Sequence, residues 1–215
     1  MSEQRVVVIT GANRGLGRLM VEEFASHDWK VVATGRSDRP NGLPSEVDYN
    51  KFDVADAEAC ESFWQKVAVE YENAQICLIN NAGGYISGSL LELKSEDFAQ
   101  QMRSNFFTAV YMTQSLVSWI PKARIVNVIS SSALAAHAKN AAYGASKAAE
   151  MHFFQSLQQE FTPDKYQITN LYPLSIASAG PDPNAIKPEE LADFIRIQAE
   201  NDTTYYLRDV MIYPR

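Results

Sequence analysis

Tyr143 and Lys147 stand four residues apart in the stretch that reads AYGASK. On an α-helix this spacing places both side chains on one face. A free tyrosine exchanges its proton near pH ~10, and a cation one turn away stabilises the tyrosine anion and brings that exchange toward neutral pH. An ordinary surface pair has the same spacing, and such a match arises by chance about once in several hundred residues. The pair therefore indicates proton-transfer chemistry only if the chain also supplies a partner for the reaction.

A glycine-rich segment could supply that partner by binding a dinucleotide. It runs from Thr10 to Gly17 and lies between a predicted strand and a predicted helix. Its three glycines let the backbone turn sharply and approach a ligand, and the free N–H groups of the following helix face a pyrophosphate. A plain glycine-rich turn is the alternative. We predict cofactor contacts at Gly11, Asn13, Arg14, Gly15, Leu16 and Gly17.

The end of the second predicted strand selects the form of a nicotinamide cofactor. An acidic residue there binds the ribose 2′-hydroxyl of NAD, whereas an arginine accommodates the 2′-phosphate of NADP. In this chain Arg36 is the first loop residue, Arg14 lies within the glycine turn, and Asp38 comes later. The two cations predict NADP(H) as the cofactor. The alternative is that both are solvated surface arginines.

Strands and helices that could position these groups alternate along the chain. The strands are short and rich in β-branched residues, which is typical of a parallel sheet covered on both faces. A long helix should begin with Ser95 as its N-cap and stop before Pro121. This alternation predicts an α/β protein, a three-layer doubly wound Rossmann fold with a mostly parallel six- or seven-stranded sheet, and residues 1–215 as a single NADP-binding domain. Strands are predicted over 5–10, 30–34, 48–53, 75–80, 124–129, 167–172 and 210–213, and helices over 16–27, 55–71, 95–120, 141–161 and 188–200.

Composition narrows the classes of partner. The 215 residues carry a net charge of -7, and such an acidic surface argues against nucleic acid or an anionic membrane as the main partner. The apolar runs are shorter than the ~18 residues of a membrane span. Two cysteines suggest no disulfide framework, which favours a cytoplasmic location, and three scattered histidines predict no metal site.

Four motifs, taken together and in order, resemble the short-chain dehydrogenase/reductase family. After the glycine turn, the fourth predicted strand ends in Asn-Asn-Ala-Gly at 80–83 and the fifth in Ser-Ser-Ser at 130–132. Tyr143 follows Ser130 by thirteen residues and Lys147 follows Tyr143 by four. The resemblance covers residues from about 5 to 178, and the spacing of the glycines is similar to that of the small single-domain members.

The resemblance implies a role for each of four catalytic residues. Tyr143 is the general acid in carbonyl reduction or the base in alcohol oxidation. Lys147 holds the nicotinamide ribose hydroxyls and stabilises the tyrosine anion. Ser130 donates a hydrogen bond to the substrate oxygen, and Asn105 supports a water-linked proton relay through Lys147.

The resemblance also implies contacts along the rest of the cofactor. Beyond the glycine turn, Arg36, Tyr143 and Lys147, these contacts lie at the adenine edge, beside the adenosine ribose and beside the nicotinamide, at Asp53, Val54, Asn81, Ala82, Gly83, Pro173 and Ser178.

The chain departs from the family near the nicotinamide. Leu174 follows Pro173 where the family has glycine, and Ser178 stands where it has threonine. Only about fifteen residues separate Pro173 from Pro188, where relatives place a longer lid over the substrate. We therefore predict an open or shallow pocket, lined by Ser130, Tyr85, His137 and Leu174.

Two functions remain open from the sequence. The first is an NADP(H)-dependent oxidoreductase that reduces a small ketone or aldehyde or oxidises a secondary alcohol, working as a homodimer or homotetramer as family members often do. The second is a sensor or scaffold of the same fold that binds NADP(H) and turns over poorly. The short lid and Leu174 favour the second, whereas the intact set of catalytic residues favours the first.

Overall fold

The computed structural model describes residues 4–177 and 182–215, and its centre is one seven-stranded sheet. All neighbouring strands are parallel, in the order β3-β2-β1-β4-β5-β6-β7. This confirms the predicted α/β doubly wound fold and the larger of the two predicted strand numbers. The strands are β1 (Arg5–Ile9), β2 (Lys30–Gly35), β3 (Asp48–Lys51), β4 (Gln75–Asn80), β5 (Ala123–Val128), β6 (Tyr166–Pro173) and β7 (Asp209–Ile212).

Six α-helices cover the sheet within the described ranges. They are α1 (Gly15–Ala25), α2 (Ala57–Glu70), α3 (Ser95–Gln101), α4 (Thr108–Trp119), α5 (Ala141–Glu160) and α6 (Pro188–Glu200). A π-helical turn (Met102–Phe107) joins α3 to α4, and a 3₁₀ turn (Ser131–Ala133) follows β5. The predicted helix over 95–120 is therefore interrupted at its centre. None of the described helices is long and apolar enough to cross a bilayer.

Each face of the sheet packs against its own layer of helices because successive side chains of a strand point to opposite faces. Val6 and Val8 of β1 join α2, α4 and α5 in one core. Val7 and Ile9 join α1 and α6 in the other. Cys60 belongs to the first core and Cys77 to the second, both as free thiols. Burial raises the pKa of each thiol to about 12, so both are protonated at neutral pH.

Hydrogen bonds between the side chains of three buried asparagines and one exposed aspartate link four strands. Asn80 Nδ2 donates to Asn127 Oδ1 over 2.9 Å, and Asn127 Nδ2 donates to Asn170 Oδ1 over 2.8 Å. Asn170 Nδ2 continues to Asp209 Oδ1 over 3.2 Å. These residues are paired partners in the sheet, so the bonds cross β4, β5, β6 and β7 in register. We call these four residues the asparagine ladder.

Strand order also creates a crevice at the carboxyl edge of the sheet. β1 and β4 are neighbours, but the chain proceeds from β1 to β2 on one side and from β4 to β5 on the other. The two connections diverge, and such a switch point is where open α/β sheets bind ligands. The glycine turn after β1 and residues 81–83 after β4 both lie there.

The long helical segment begins differently from the sequence prediction. Ser95 is the first helical residue of α3 rather than its N-cap. The N–H of the preceding residue, Lys94, donates to Asp97 Oδ2 over 2.8 Å. An acidic side chain in the first turn therefore accepts from the backbone N–H of the N-cap residue. The predicted N-cap was wrong by one position.

Candidate functional site

The glycine turn is fastened to the end of β4 by one threonine. Thr10 Oγ1 accepts hydrogen bonds from the backbone N–H groups of Asn81 and Ala82, each at 2.9 Å, and donates to the Ile79 carbonyl over 3.2 Å. Asn81 Nδ2 donates back to the Thr10 carbonyl over 2.9 Å. The two predicted cofactor-binding segments therefore lie side by side at the switch point.

Backbone geometry explains why glycines occupy this turn. Gly11 and Gly15 have φ of +68° and +56°, which L side chains rarely adopt. A Cβ on Gly17 would overlap the Gly11 carbonyl and come within 2.6 Å of Asn81 Nδ2, so α1 packs directly against the turn.

The start of α1 fits an anionic group. No side chain caps the helix at Arg14, and no acidic residue lies in its first turn. A Cβ added to the exposed Gly15 would meet nothing within 4 Å. Helix N–H groups that face open space and carry the positive end of the helix dipole suit the pyrophosphate of a dinucleotide.

Two exposed arginines lie beside this turn. The guanidinium groups of Arg14 and Arg36 form no hydrogen bond or ion pair with any residue in the described ranges. Asn13 Nδ2 donates to Ser37 Oγ over 3.0 Å, which brings the segment that carries Arg14 against the one that carries Arg36. The guanidinium groups that are engaged belong to Arg5, Arg18, Arg39, Arg103, Arg124, Arg196 and Arg208.

Asp53, the predicted adenine-edge residue, already has two partners. Its Oδ1 accepts from the Ala55 N–H and its Oδ2 from Arg103, both at 3.0 Å. Burial alone would raise the pKa of Asp53, but the Ala55 hydrogen bond and the charges of Arg103 and Arg36 hold this pKa below its usual range. The next residue, Val54, is buried in the core. Arg103 is a contact of Asp53 that the sequence does not predict.

Lys147 is buried on α5 and points to the end of β5. Its Nζ donates to the Val128 carbonyl over 3.1 Å and to Glu150 Oε2 over 2.7 Å. Burial alone would lower the pKa of Lys147, but the negative charges of Glu150 and of an ionised Tyr143 outweigh it and raise this pKa, so the lysine is a cation. Sequence reasoning missed Glu150, although an acidic residue three positions after Lys147 shares its helix face.

Tyr143 lies one turn earlier on α5 and is partly exposed. Its ring meets that of Tyr85 edge to face, with 4.9 Å between the ring centroids. The segment that carries Tyr85 is held on both sides, since the Gly84 N–H donates to Asn105 Oδ1 over 2.8 Å and the Gly88 N–H to the Lys139 carbonyl over 2.9 Å. Tyr85 is 63% exposed, so its ring can form a wall of an open pocket above Tyr143.

Asn105 connects three parts of the site from within the π-helical turn. Its Oδ1 accepts from the Gly84 N–H, and its Nδ2 donates to Ser146 Oγ over 2.9 Å. Thr108 Oγ1 bonds the carbonyls of Ser104 and Asn105, at 2.9 and 3.2 Å. Such single π turns commonly mark functional sites in helices. Asn105 therefore fixes the loop after β4 against α5.

Ser130 lies between the end of β5 and the 3₁₀ turn that packs against α5. It is buried, and its Oγ accepts from the Ser132 N–H over 3.1 Å, which leaves the hydroxyl proton able to donate. Asn140 Nδ2 donates to Ser132 Oγ over 3.0 Å and ties the 3₁₀ turn to the start of α5.

The remaining predicted residues lie around this centre. Pro173 is the buried last residue of β6, and Leu174 is 44% exposed with its carbonyl 3.5 Å from Ser131 Oγ. His137 is exposed in the loop before α5, and its imidazole makes no hydrogen bond with the described residues. Ser178 lies outside the described residues.

The short connection after β6 is closed on itself at its base. The Ile186 N–H donates to the Ser175 carbonyl over 2.8 Å, and the Ala177 N–H donates to the Ile186 carbonyl over 3.0 Å. This isolated parallel bridge brings the two arms of the connection together beside β6.

The chain is similar in sequence to known proteins. Residues 5–183 match the family model described as short chain dehydrogenase. The chain is 31% identical over 176 residues to the NADPH-dependent 1-acyldihydroxyacetone phosphate reductase of Schizosaccharomyces pombe, a match that covers 80% of this chain and 60% of that protein. It is 28% identical over 168 residues to the 3-oxoacyl-[acyl-carrier-protein] reductase FabG of Escherichia coli, covering 74% of this chain and 68% of FabG.

Solved structures share the fold. An alcohol dehydrogenase of the archaeon Thermococcus sibiricus, complexed with 5-hydroxy-NADP, has a TM-score of 0.89 at 22% identity, with 99% of this chain and 97% of that chain covered. A short-chain dehydrogenase of Burkholderia cenocepacia in complex with NADP has a TM-score of 0.82 at 24% identity, with 98% and 88% covered. Because the family match spans residues 5–183, most of the chain, the protein belongs to the short-chain dehydrogenase/reductase family of oxidoreductases.

Proposed function

We propose that the protein is an NADP(H)-dependent reductase of a ketone or aldehyde, which can also run in reverse as a secondary-alcohol dehydrogenase. The observation that carries the proposal is the buried, cationic Lys147 one helical turn from the partly exposed Tyr143, at the carboxyl edge of the sheet. A protein that only binds nucleotide has no need of a tyrosine and a buried cation in this arrangement.

The residues around the switch point suit NADP(H). The uncapped start of α1 would take the pyrophosphate, and the unengaged Arg14 and Arg36 would take the 2′-phosphate. Asp53 and Val54 would lie at the adenine edge, residues 81–83 beside the adenosine ribose, and Pro173 and Ser178 beside the nicotinamide. The NADPH-dependent relative in Schizosaccharomyces pombe supports this choice of cofactor.

Bound NADPH supplies the hydride, and this chain manages the proton. The Ser130 hydroxyl holds the substrate oxygen, Tyr143 donates a proton to it, and the Lys147 ammonium stabilises the tyrosine anion that remains. Asn105 keeps the loop after β4 in place beside α5. Tyr85, Leu174 and His137 would line the substrate pocket.

We further propose that residues 1–215 act as one NADP-binding domain, in the cytoplasm, and that the chain works as a homodimer or homotetramer. A stack of Phe107 on Tyr111, with 5.6 Å between the ring centroids, joins the end of the π-helical turn to the start of α4 and supports an association through the long helices. Phe107 is 38% exposed, so part of this aromatic surface is open to a second copy.

The test is NADPH oxidation against a panel of aldehydes, ketones, quinones and pterins, with Tyr143→Phe as the inactive control. We expect at least one carbonyl class to be reduced at a rate that the control loses. Tight NADPH binding without any turnover that depends on Tyr143 would instead support the sensor or scaffold, which the short connection after β6 favours.

Replacing Arg36 with aspartate should reverse the cofactor preference. The variant would lose the cation that we propose faces the 2′-phosphate and would gain a carboxylate that can bind a ribose 2′-hydroxyl. We expect the ratio of the NADPH and NADH dissociation constants to change by at least about 100-fold, equivalent to about 2.7 kcal/mol. Cofactor fluorescence titration measures both constants, and Arg215→Gln is a control that removes an exposed charge at the chain end. A parent protein that prefers NADH would contradict the assignment.

A further inference from the structure

Glu150 is a buried acidic residue in the candidate site for which the proposed reaction has no role. Its side chain is 2% exposed, and its Oε2 lies 2.7 Å from Lys147 Nζ, whose own side chain is 6% exposed. A negative charge in contact with the lysine opposes part of the field that Lys147 exerts on Tyr143. The cation that should act on Tyr143 is therefore partly neutralised from the inside.

Burial raises the pKa of Glu150 above its usual range, and the Lys147 ammonium, 2.7 Å away, opposes this shift. Lys147 is the only charged residue acting on Glu150 among the described residues. The 3₁₀ turn that packs against α5 carries no ionisable side chain. The other neighbouring elements carry ionisable groups that are engaged elsewhere or lie at exposed positions. Arg103 on the π-helical turn bonds Asp53, and Arg124 on β5 bonds Asp202. On β6 the Tyr172 hydroxyl bonds Asp209 and the Tyr166 hydroxyl bonds the Ile120 carbonyl. On α3 Glu96 is exposed, and Asp97 accepts from the Lys94 N–H.

We propose that Glu150 is a positioning residue of this site: its carboxylate holds Lys147 Nζ against the end of β5 and, by offsetting the lysine charge, sets the pH range in which Tyr143 exchanges its proton. This inference rests on the proposed function for its catalytic meaning, but the ionisation of Tyr143 can be measured without turnover.

The two bonds of Lys147 explain the positioning. The Lys147 ammonium has three N–H donors, and it donates two of them to the Val128 carbonyl and to Glu150. The third N–H points elsewhere. With the Nζ fixed from two sides, the long side chain no longer samples the rotamers that an unpaired lysine would. Glu150 therefore weakens the field of Lys147 at Tyr143 but fixes the position of the lysine ammonium.

Glu150→Gln separates charge from position. Glutamine keeps the length and an oxygen acceptor for Lys147, but it removes the negative charge. That charge lies two helical turns, about 10 Å, from Tyr143. Its loss leaves the lysine field unopposed, so we expect the pH at which half of Tyr143 is ionised to fall by about one unit.

The readout is the ultraviolet absorbance of phenolate as a function of pH, taken as the difference between each protein and its Tyr143→Phe counterpart, so that the other tyrosines cancel. In the active protein, the pH profile of kcat should move by the same amount while KM for NADPH does not. Glu150→Asp keeps the charge but draws it back by one methylene, and should shift the midpoint in the same direction by less. This second variant also serves if the glutamine variant does not fold.

Glu23→Gln is the matched control, because it removes a carboxylate from an ion pair with Arg196 that lies outside the site. It should leave both profiles unchanged. A Glu150→Gln or Glu150→Asp midpoint that coincides with the parent's, or that rises, would overturn the inference. An active protein with an unmoved midpoint rejects the role of Glu150 alone, whereas a shifted midpoint without turnover on any carbonyl rejects the proposed function and the catalytic role that rests on it.

Discussion

Tyr143→Phe is expected to lower kcat for carbonyl reduction by about a thousand-fold while NADPH still binds. The substitution removes one oxygen atom and keeps the ring that packs edge to face on Tyr85. The proton that the substrate oxygen needs must then come from water. General acid catalysis by a positioned side chain typically contributes about 10²- to 10⁴-fold, and the expected loss lies within this range.

Single-turnover kinetics with preloaded NADPH measures this effect free of product release, and fluorescence titration measures cofactor binding. Tyr111→Phe on α4 is the matched control, because it deletes the same hydroxyl from a half-buried ring outside the site. A loss below about tenfold for Tyr143→Phe would assign the proton donor to another group.

Asn127→Ala should lower the free energy of unfolding by about 3 kcal/mol. Asn127 is fully buried and stands in the middle of the asparagine ladder. Alanine removes its two ladder bonds at once, which leaves Asn170 Oδ1 without its donor and takes from Asn80 Nδ2 one of its two acceptors. Each buried polar group left unpaired costs about 1–3 kcal/mol.

Urea denaturation measures this loss as a fall in the midpoint at an unchanged slope. The exposed Asn73 provides the control, since Asn73→Ala removes the same amide where water replaces it. A loss below about 1 kcal/mol would mean that the ladder exchanges its partners for others on mutation. The ladder joins strands whose carboxyl ends form the site, so cofactor binding should weaken along with stability.

The strands of the sheet could be predicted from the sequence because each strand and the turn after it are specified by neighbouring residues. The apolar run of β1 and the turn residues after it specify a buried strand that ends at a glycine turn, and strands and helices then alternate. Residue type alone does not fix where an element begins. The residue type of Ser95 predicts an N-cap, whereas the Asp97 side chain accepts a hydrogen bond from the Lys94 N–H, one residue earlier.

The features that the sequence did not predict depend on contacts between distant segments. The π-helical turn forms where Asn105 bonds Gly84 and Ser146, which lie 21 and 41 residues away in the chain. The helical spacing of apolar residues does not predict hydrogen bonds between segments so far apart in the chain. Glu150 had a local signal three residues after Lys147, but only burial distinguishes this pair from a solvated pair on a helix surface. The roles of the site residues remain predictions for the experiments above.

The two free cysteines give each face of the sheet its own chemical probe. Cys60 lies in the core beneath α2, α4 and α5, and Cys77 in the core beneath α1 and α6. Neither thiol reacts while it is buried and protonated, so the rate of alkylation at each one follows the opening of its own layer. Equal rates would describe a molecule that opens as one unit. A cofactor bound against α1 would slow the alkylation of Cys77 more than that of Cys60. The two alkylation rates therefore report separately on the opening of each helix layer.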